Sequence, residues 1–421
     1  MIENKKRTKY SGRSEDILCG AAAGISYQES GRGSLDDFLD RELPHELRGG
    51  VGDLLFAYYR HRRSIDRAIV KNTQKAPQIE LRQILAAAIT QIKYQTGIVP
   101  ESAVNVAVDF VKYRQGRGAG NFVNAVLRTI MRSLDTVKDL PGKIFPDEYY
   151  RMLKRNELQN EAKRLEELFL GRSELTFRQC RDILPEELAE LGAVELDELD
   201  FIPADWKFYR CGEPAKLFSG DYLTRGRIYI QDPATALAPG LAELSGNETV
   251  LDLCAAPGGK SLLLFSRLNG WGKLIAGDIS ERRLELVRDN FARHQVAAEV
   301  RVMDGRELPF EAASLDLILV DAPCSNLGVF RKRPDVPSNY QPEKQAELIE
   351  IQRRILISAA DKVKVGGAII YSTCTIDRLE NDDNVAWFLE NHPEYELATK
   401  KLLLPKEYHD GAFAAKLRRV R

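Results

Sequence analysis

The stretch that most constrains this chain runs from Thr249 to Lys260 and reads Thr-Val-Leu-Asp-Leu-Cys-Ala-Ala-Pro-Gly-Gly-Lys. Val250 to Leu253 is an apolar run of the length of a buried strand. Pro257-Gly258-Gly259 breaks it, and the apolar residues from Ser261 onward predict a helix. A strand, a tight glycine turn and a helix open a βαβ unit, which commits the following chain to a parallel sheet covered by helices. Glycine has no Cβ, so the backbone of such a turn can approach a ligand closely. Ligands of open α/β sheets sit at the carboxyl ends of the strands, which makes this turn the first candidate binding site. Two phosphate-binding patterns are excluded. A Walker loop needs a glycine five residues before its Gly-Lys-Ser, and Cys254 stands there; the dinucleotide pattern G-x-G-x-x-G is absent.

The α/β rhythm continues downstream. Leu274 to Ala276 predicts a second strand ending at Gly277-Asp278, and Ala298 to Val302 a third ending near Asp304. Leu315 to Val320 predicts a fourth, ending at Asp321-Ala322-Pro323-Cys324, and Ala368 to Tyr371 a fifth, ending at Ser372-Thr373-Cys374. Arg283 to His294, Leu348 to Val363 and Asn384 to Glu390 fit the intervening helices. Upstream, Arg227 to Asp232 reads as a strand that starts this domain, with Asp232 as the N-cap of a helix from Pro233.

Residues 15–135 read as helical. Leu81, Leu85, Ala88 and Ile92 recur at helical spacing; so do Ala103, Val104, Ala107, Val108 and Val111 behind Pro100, and Phe122, Val123, Val126, Leu127 and Ile130 behind a Gly116–Gly120 loop. Glycines at 31–33 and 49–52 are unusual in such a bundle. Residues 136–150, with Pro141, Gly142 and Pro146, read as a linker. In the middle region, Glu161 to Leu170 is a charged helix, and Glu186 to Asp200 carries only acids among its charged residues, a solvated surface that would repel RNA phosphate.

Composition narrows the classes. With 29% charged and 44% hydrophobic residues the chain can build real cores. No apolar run approaches the ~20 residues of a membrane span. The N-terminus is basic (Lys5, Lys6, Arg7, Lys9, Arg13) without the apolar segment of a secretory signal. The six cysteines form neither a CxxC pair nor a zinc pattern, so no metal and a reducing cytoplasm are expected. A net charge of −1 neither demands nor forbids a nucleic-acid partner.

Three acids, Asp278, Asp304 and Asp321, follow successive strands and so gather at one sheet edge. An acid after the second strand suits ribose hydroxyls, and one after the third suits an adenine amino group. An adenosine site without a phosphate cradle points to S-adenosylmethionine rather than ATP or NAD. Cys324 and Cys374 follow strands at the same edge. Beside a methyl donor, a thiolate can add to C6 of a pyrimidine and make C5 nucleophilic, which splits one hard step into easier ones. Only the thiolate is active, so nearby cations should help it, either Lys260 or the Arg331-Lys332-Arg333 cluster, which also suits phosphate contacts. Which cysteine attacks is left open by position alone.

The blocks Asp252–Ser261, Asp321-Ala322-Pro323-Cys324-Ser325, Arg333-Pro334-Asp335, and Tyr371-Ser372-Thr373-Cys374-Thr375 with Glu380-Asn381 resemble the RNA cytosine-C5 methyltransferase family, Sun/Fmu and its nucleolar relatives. Val99-Pro100-x-x-Ala103-Val104-Asn105-x-Ala107-Val108 and Asn121 to Arg128 resemble a NusB-like RNA-binding domain, which implies the bacterial 16S rRNA branch. The resemblance implies that Cys254, Ala255, Ala256, Pro257, Gly258, Gly259 and Lys260 line the methionine and sugar of S-adenosylmethionine. It implies ribose binding by Asp278 with Arg283 nearby, adenine binding by Asp304, and Asp321 between cofactor and cytosine. It makes Cys374 the nucleophile and Cys324 an aid to product release. Three departures stand out. Ser325-Asn326-Leu327-Gly328 replaces Ser-Gly-x-Gly, Asp410-Gly411-Ala412-Phe413 replaces Asp-Gly-Phe-Phe, and the middle region lacks Arg-Val-Asn.

The expectation is therefore an α/β protein: a NusB-like helical RNA-binding domain over 1–138, a linker and small α/β region over 139–215, and a Rossmann-like methyltransferase domain over 216–421. It would methylate C5 of a cytosine in 16S ribosomal RNA in the cytoplasm, with the target base out of its stack. A tRNA cytosine-C5 methyltransferase and a non-catalytic RNA-binding assembly factor are the alternatives. The intact glycine turn and both cysteines speak against the second.

Overall fold

The computed structural model describes residues 13–133, 143–197, 199–268 and 270–421. Most of the expected basic N-terminal stretch, Pro141 and Gly142 of the expected linker, and the expected boundary at 138 lie outside the described residues. The described residues form two compact units, those up to 146 with 333–338, and those from 147 to 332 with 339–421.

The first unit is helical: Arg13–Glu29, Leu35–Arg41, His45–Lys71, Ile79–Tyr94, Pro100–Gln115 and Arg117–Arg132. Pro100 occupies the first turn of its helix, where no backbone N–H is needed. Ser34 and Asp37 form a reciprocal capping box on Leu35–Arg41. The expected Gly116–Gly120 loop shrinks to Gly116, whose φ of +89° makes the turn, and the next helix begins at Arg117. Gly49 to Gly52 lie inside the helix His45–Lys71. The close pairing of this helix with Arg13–Glu29 explains part of the glycine content: a Cβ on Gly20 would come 2.7 Å from Val51 Cγ2, and one on Gly50 would come 2.7 Å from Ile17 Cδ1. Leu18, Ile25, Leu54, Leu55, Leu85, Val104 and Leu127 fill the core.

The second unit holds two sheets. The smaller has strands β1 (Thr176–Gln179), β2 (Val194–Glu195), β3 (Phe208–Arg210) and β4 (Ile228–Ile230), in order β2-β3-β1-β4 and antiparallel at each pairing. The strand expected to start the catalytic domain is β4. It pairs with β1, so the small sheet extends past residue 216, and the expected division there cuts through it. Asp232 caps the next turn as expected, accepting from Ala234 N at 2.9 Å. The acidic run is partly paired, with Glu187 Oε2 2.5 Å from Arg227 Nη2 and Asp200 Oδ1 3.1 Å from Lys401 Nζ.

The larger sheet comprises β5 (Thr249–Leu253), β6 (Lys273–Asp278), β7 (Glu299–Val302), β8 (Leu315–Asp321), β9 (Val363–Thr373), β10 (Tyr395–Leu403) and β11 (Ala412–Arg419). Its order is β10-β11-β9-β8-β5-β6-β7. Strands β5 to β9 are parallel where they pair, and β11 joins β9 and β10 antiparallel. This is a Rossmann-like sheet, covered by helices that include Gly259–Phe265, Glu281–His294, Pro342–Ala360 and Asp382–Asn391. Residue alternation divides the core as a period of two requires. Leu251, Leu253, Ile318, Val320, Ile369 and Tyr371 pack on one face, and Val250, Leu274, Ala276, Leu317, Leu319 and Ile370 on the other. The helix expected to reach Val363 stops at Ala360, and Val363 already begins β9. No described helix is long and apolar enough to cross a membrane.

Candidate active site

The turn after β5 is built from backbone. Cys254 has φ +63° and Gly258 φ +102°. Ala255 N donates to Gly277 O at 2.9 Å, which ties the turn to the end of β6, and Gly258 N donates to Ala255 O at 2.7 Å. The following helix starts at Gly259, earlier than the expected Ser261, because Gly258 itself serves as N-cap. Below the turn Asp252 is fully buried and accepts from Ser261 Oγ. Burial, and then the charges of Asp321 and Asp278, push its carboxyl up to about 7, against the bond from Ser261.

Asp278 is buried at the end of β6. Its Oδ1 accepts from Ser280 N at 3.0 Å, and its Oδ2 lies 3.2 Å from Arg283 Nη1. Arg283 Nη2 donates to Ala256 O at 3.0 Å. One side chain thus links the ribose-binding candidate to the glycine turn. The Cys254 thiol faces this group, and burial, with Asp321, Asp278 and Asp252, pushes it up to about 12. The donor set suits S-adenosylmethionine: a buried carboxylate beside a close-approach backbone turn. Asp304 lies outside this group of contacts. Arg306 donates to both its oxygens, Nε to Oδ1 at 2.9 Å and Nη2 to Oδ2 at 2.6 Å, and holds the carboxyl down at about 2.

Asp321 ends β8, and Lys260 Nζ donates to its Oδ2 at 2.6 Å. Ser372 Oγ donates to its Oδ1 at 3.2 Å. Burial alone would lower the Lys260 ammonium, but the Asp321 charge and bond outweigh it and leave the group above its usual value. Cys324 and Cys374 meet with their sulfurs 3.3 Å apart. Cys324 is buried and Cys374 half-buried. The hydrogen bond with Cys374, followed by burial, raises the Cys324 thiol well above its usual value.

The loop carrying Cys324 is pinned by Glu380, whose carboxyl accepts from Ser325 N, Gln345 Nε2 and Gln352 Nε2, each at 2.9 Å. Gln352 Nε2 also donates to Pro323 O at 2.9 Å. On the Cys374 side, Thr373 Oγ1 donates to Asn381 Oδ1 at 2.6 Å and Asn381 Nδ2 donates to Thr375 O at 3.0 Å. The Glu380-Asn381 pair therefore holds both cysteine-bearing segments.

Sequence reasoning missed Gln345 and Gln352, and it named Ser372 and Asn326 as motif positions without giving them a role. Gln345 and Gln352 are seven residues apart, two turns on one helix face, and both are buried; polar residues so placed on a core-facing helix are the signal that was available. The basic cluster differs from expectation. Arg331 Nη1 donates to the carbonyl of Lys406 at 2.6 Å, Lys332 Nζ lies 3.1 Å from Asp410 Oδ2 and also pairs with Asp232, and in the first unit Arg333 Nη2 lies 2.9 Å from Asp36 Oδ2. Arg331 is buried, and Lys332 and Arg333, though partly exposed, are paired with carboxylates of the fold. Among the described residues no group of three or more His, Cys, Asp or Glu side chains is arranged to hold a metal ion.

Residues 239–418 match the family model described as 16S rRNA methyltransferase RsmB/F, and residues 21–132 match that of the NusB family. The chain is 31% identical to ribosomal RNA small subunit methyltransferase B of Shewanella oneidensis, over 77% of this chain and 76% of that protein. It is 29% identical to a probable ribosomal RNA small subunit methyltransferase B of Bacillus subtilis, over 84% of this chain and 83% of that one. Among solved structures it is similar in fold to PH0851, with a TM-score of 0.76, 24% identity, and coverage of 98% of this chain and 100% of that one. NSun6 from Pyrococcus horikoshii, solved with SFG, has a TM-score of 0.58 at 20% identity, over 66% of this chain and 99% of that one.

Proposed function

The chain belongs to the 16S rRNA methyltransferase RsmB/F family, and from that premise we propose that it methylates C5 of a cytosine in 16S ribosomal RNA through a covalent bond from Cys374 to C6 of the base. It is an S-adenosylmethionine-dependent methyltransferase that acts on RNA. The observation that carries the finer reading is the unequal pair of cysteines. Two thiols stand 3.3 Å apart just past the ends of neighbouring strands, one buried and held protonated, the other half-buried. Since only a thiolate attacks, Cys374 suits the nucleophile and Cys324 a neutral thiol beside it.

Bound S-adenosylmethionine supplies an electrophilic methyl carbon. The Cys374 thiolate forms the S–C6 bond, and the C5=C6 electron pair becomes available at C5, where bound S-adenosylmethionine would supply the methyl. The C5 proton then passes to water, and the C–H electron pair re-forms C5=C6 and expels Cys374 as the thiolate. Asp321, oriented by Lys260 and Ser372, faces the cytosine N3 and amino edge in this reading. Residues 254–260, Asp278 and Arg283 hold the cofactor, and Asp304, now engaged by Arg306 through both oxygens, is the carboxylate on the adenine side. The NusB-like helices contribute RNA binding.

The test uses unmodified 16S rRNA and labelled S-adenosylmethionine with wild type, Cys374→Ala and Cys324→Ala. The expected result is 5-methylcytidine from wild type, neither product nor adduct from Cys374→Ala, and adduct accumulating on a denaturing gel with Cys324→Ala. Exchanged outcomes would make Cys324 the nucleophile. Label in tRNA but not in 16S rRNA would keep the chemistry and overturn the substrate. RNA binding with no transfer to any RNA would overturn the catalytic reading.

A further inference from the structure

Asn326 stands where the family pattern Ser-Gly-x-Gly has its first glycine, and the reaction described above does not use it. Its backbone shows why glycine suits the position. The φ of Asn326 is +59°, in the left-handed region that glycine adopts freely and asparagine tolerates better than most residues. The loop thus keeps its shape and gains a side chain.

That side chain reaches both cysteines. Asn326 Nδ2 donates to the carbonyl oxygen of Cys324 at 3.0 Å. A carbonyl only accepts, so this bond settles which end of the amide is which. The other end, Oδ1, accepts from Cys374 Sγ at 2.8 Å. The same loop anchors the Cys374 backbone, since Gly328 N donates to Cys374 O at 3.0 Å. A Cβ on Gly328 would come 2.8 Å from that carbonyl, so this second glycine cannot be exchanged as the first has been.

We propose that Asn326 is a positioning residue that holds the resting Cys374 side chain, through an S–H···Oδ1 hydrogen bond, at a fixed place beside Cys324. This rests on the reading of Cys374 as nucleophile. The amide oxygen accepts from a thiol and has nothing to offer a thiolate, so the bond is lost on ionisation. The Cys324 thiol also faces the sulfur, 3.3 Å away, and the Lys260 ammonium is held in the same site by Asp321.

Two substitutions test this in the full-length chain. Asn326→Gly keeps the left-handed backbone and removes the acceptor. Asn326→Asp keeps the shape and sets a carboxylate against the sulfur. Alkylation of Cys374 by iodoacetamide, read by mass spectrometry of its peptide between about pH 6 and about pH 10, is measured without RNA. Single-turnover methylation and the RNA KM are measured beside it. Asn326→Gly should alkylate about fivefold faster near neutral pH, with its profile moved to lower pH, and should methylate more slowly at unchanged KM. Asn326→Asp should move the alkylation profile to higher pH, with methylation recovering as the pH is raised. Coincident alkylation profiles for all three proteins, or equal slowing of both variants without movement of either profile, would overturn the role of Asn326 while leaving Cys374 as nucleophile. Full methylation by Cys374→Ala would overturn the nucleophile reading and this proposal with it.

Discussion

Cys324 Sγ lies 3.3 Å from Cys374 Sγ although the two residues are 50 apart in sequence. The approach is a consequence of sheet order. β8 and β9 are parallel neighbours with Asp321 in register with Ser372, so the segments leaving the two strand ends carry their cysteines out side by side. The bond from Ala322 N to Ser372 O, at 2.9 Å, continues the pairing past the strand ends.

The Lys260–Asp321 pair should matter more to the reaction than to the fold. Both side chains are partly exposed, 18% and 30%, so breaking the pair should cost about 1 kcal/mol of stability. In the proposed reaction the same carboxyl orients the base, and Lys260→Met should slow single-turnover methylation by about 100-fold or more. A Lys260→Met, Asp321→Asn double-mutant cycle, read in both the urea midpoint and the single-turnover rate, checks this. Additive effects on the rate would show that the pair does not act as a unit.

Asp278 should act on the cofactor and not on RNA. Its carboxylate sits between Ser280 N and Arg283, against the glycine turn. Asp278→Asn should weaken S-adenosylmethionine binding about 10-fold to 100-fold, the size of one lost charge-assisted hydrogen bond. Calorimetry with the cofactor and filter binding with RNA separate the two. Equal weakening of both would place Asp278 in the scaffold instead.

Asp252 makes stability depend on pH. Its carboxyl is raised from 3.8 to about 7 by burial. Between those values the unfolded chain has released a proton that the folded chain still holds, so the folded state loses stability as pH rises through this window. Asp252→Asn removes that contribution and can still accept from Ser261. Urea midpoints near pH 5 and near pH 8 should differ less in Asp252→Asn than in wild type. Equal pH dependence of the two proteins would refute the assignment.

Glu380 should behave as a structural anchor of the site. It is fully buried and satisfies Ser325 N, Gln345 and Gln352. Glu380→Ala leaves Ser325 N without its acceptor and takes one bond from each glutamine, at a cost of about 3 kcal/mol, and frees the loop that carries Cys324. Thermal melts should show the loss, and Cys324 should become alkylated faster in the variant. A variant that melts with wild type would show that the loop is held elsewhere.

Much of this protein is written locally. The helices of the first unit follow from apolar spacing and from Pro100 at a helix entrance, and β5 to β9 follow from short apolar runs that end at Asp or Cys. These features depend on residues within one or two turns of each other, and periodicity reports them directly. The turn at Cys254–Lys260 is legible for the same reason, whereas the capture of Asp304 by Arg306, two residues away, was not read from the sequence.

What depends on pairing between distant segments was decided only by the tertiary structure. β4 carries a strand pattern, but its pairing with β1 rather than the large sheet is a matter of register and partner. Arg331, Lys332 and Arg333 read as a displayed basic cluster until the fold turns them onto internal carbonyls and carboxylates. Lys260 reaches Asp321 across 61 residues, and Asn326 reaches Cys374 across 48. A residue's own neighbours in sequence determine its backbone and the face it occupies. Which group meets its polar atoms is determined by strand order and by the requirement that buried donors and acceptors find each other.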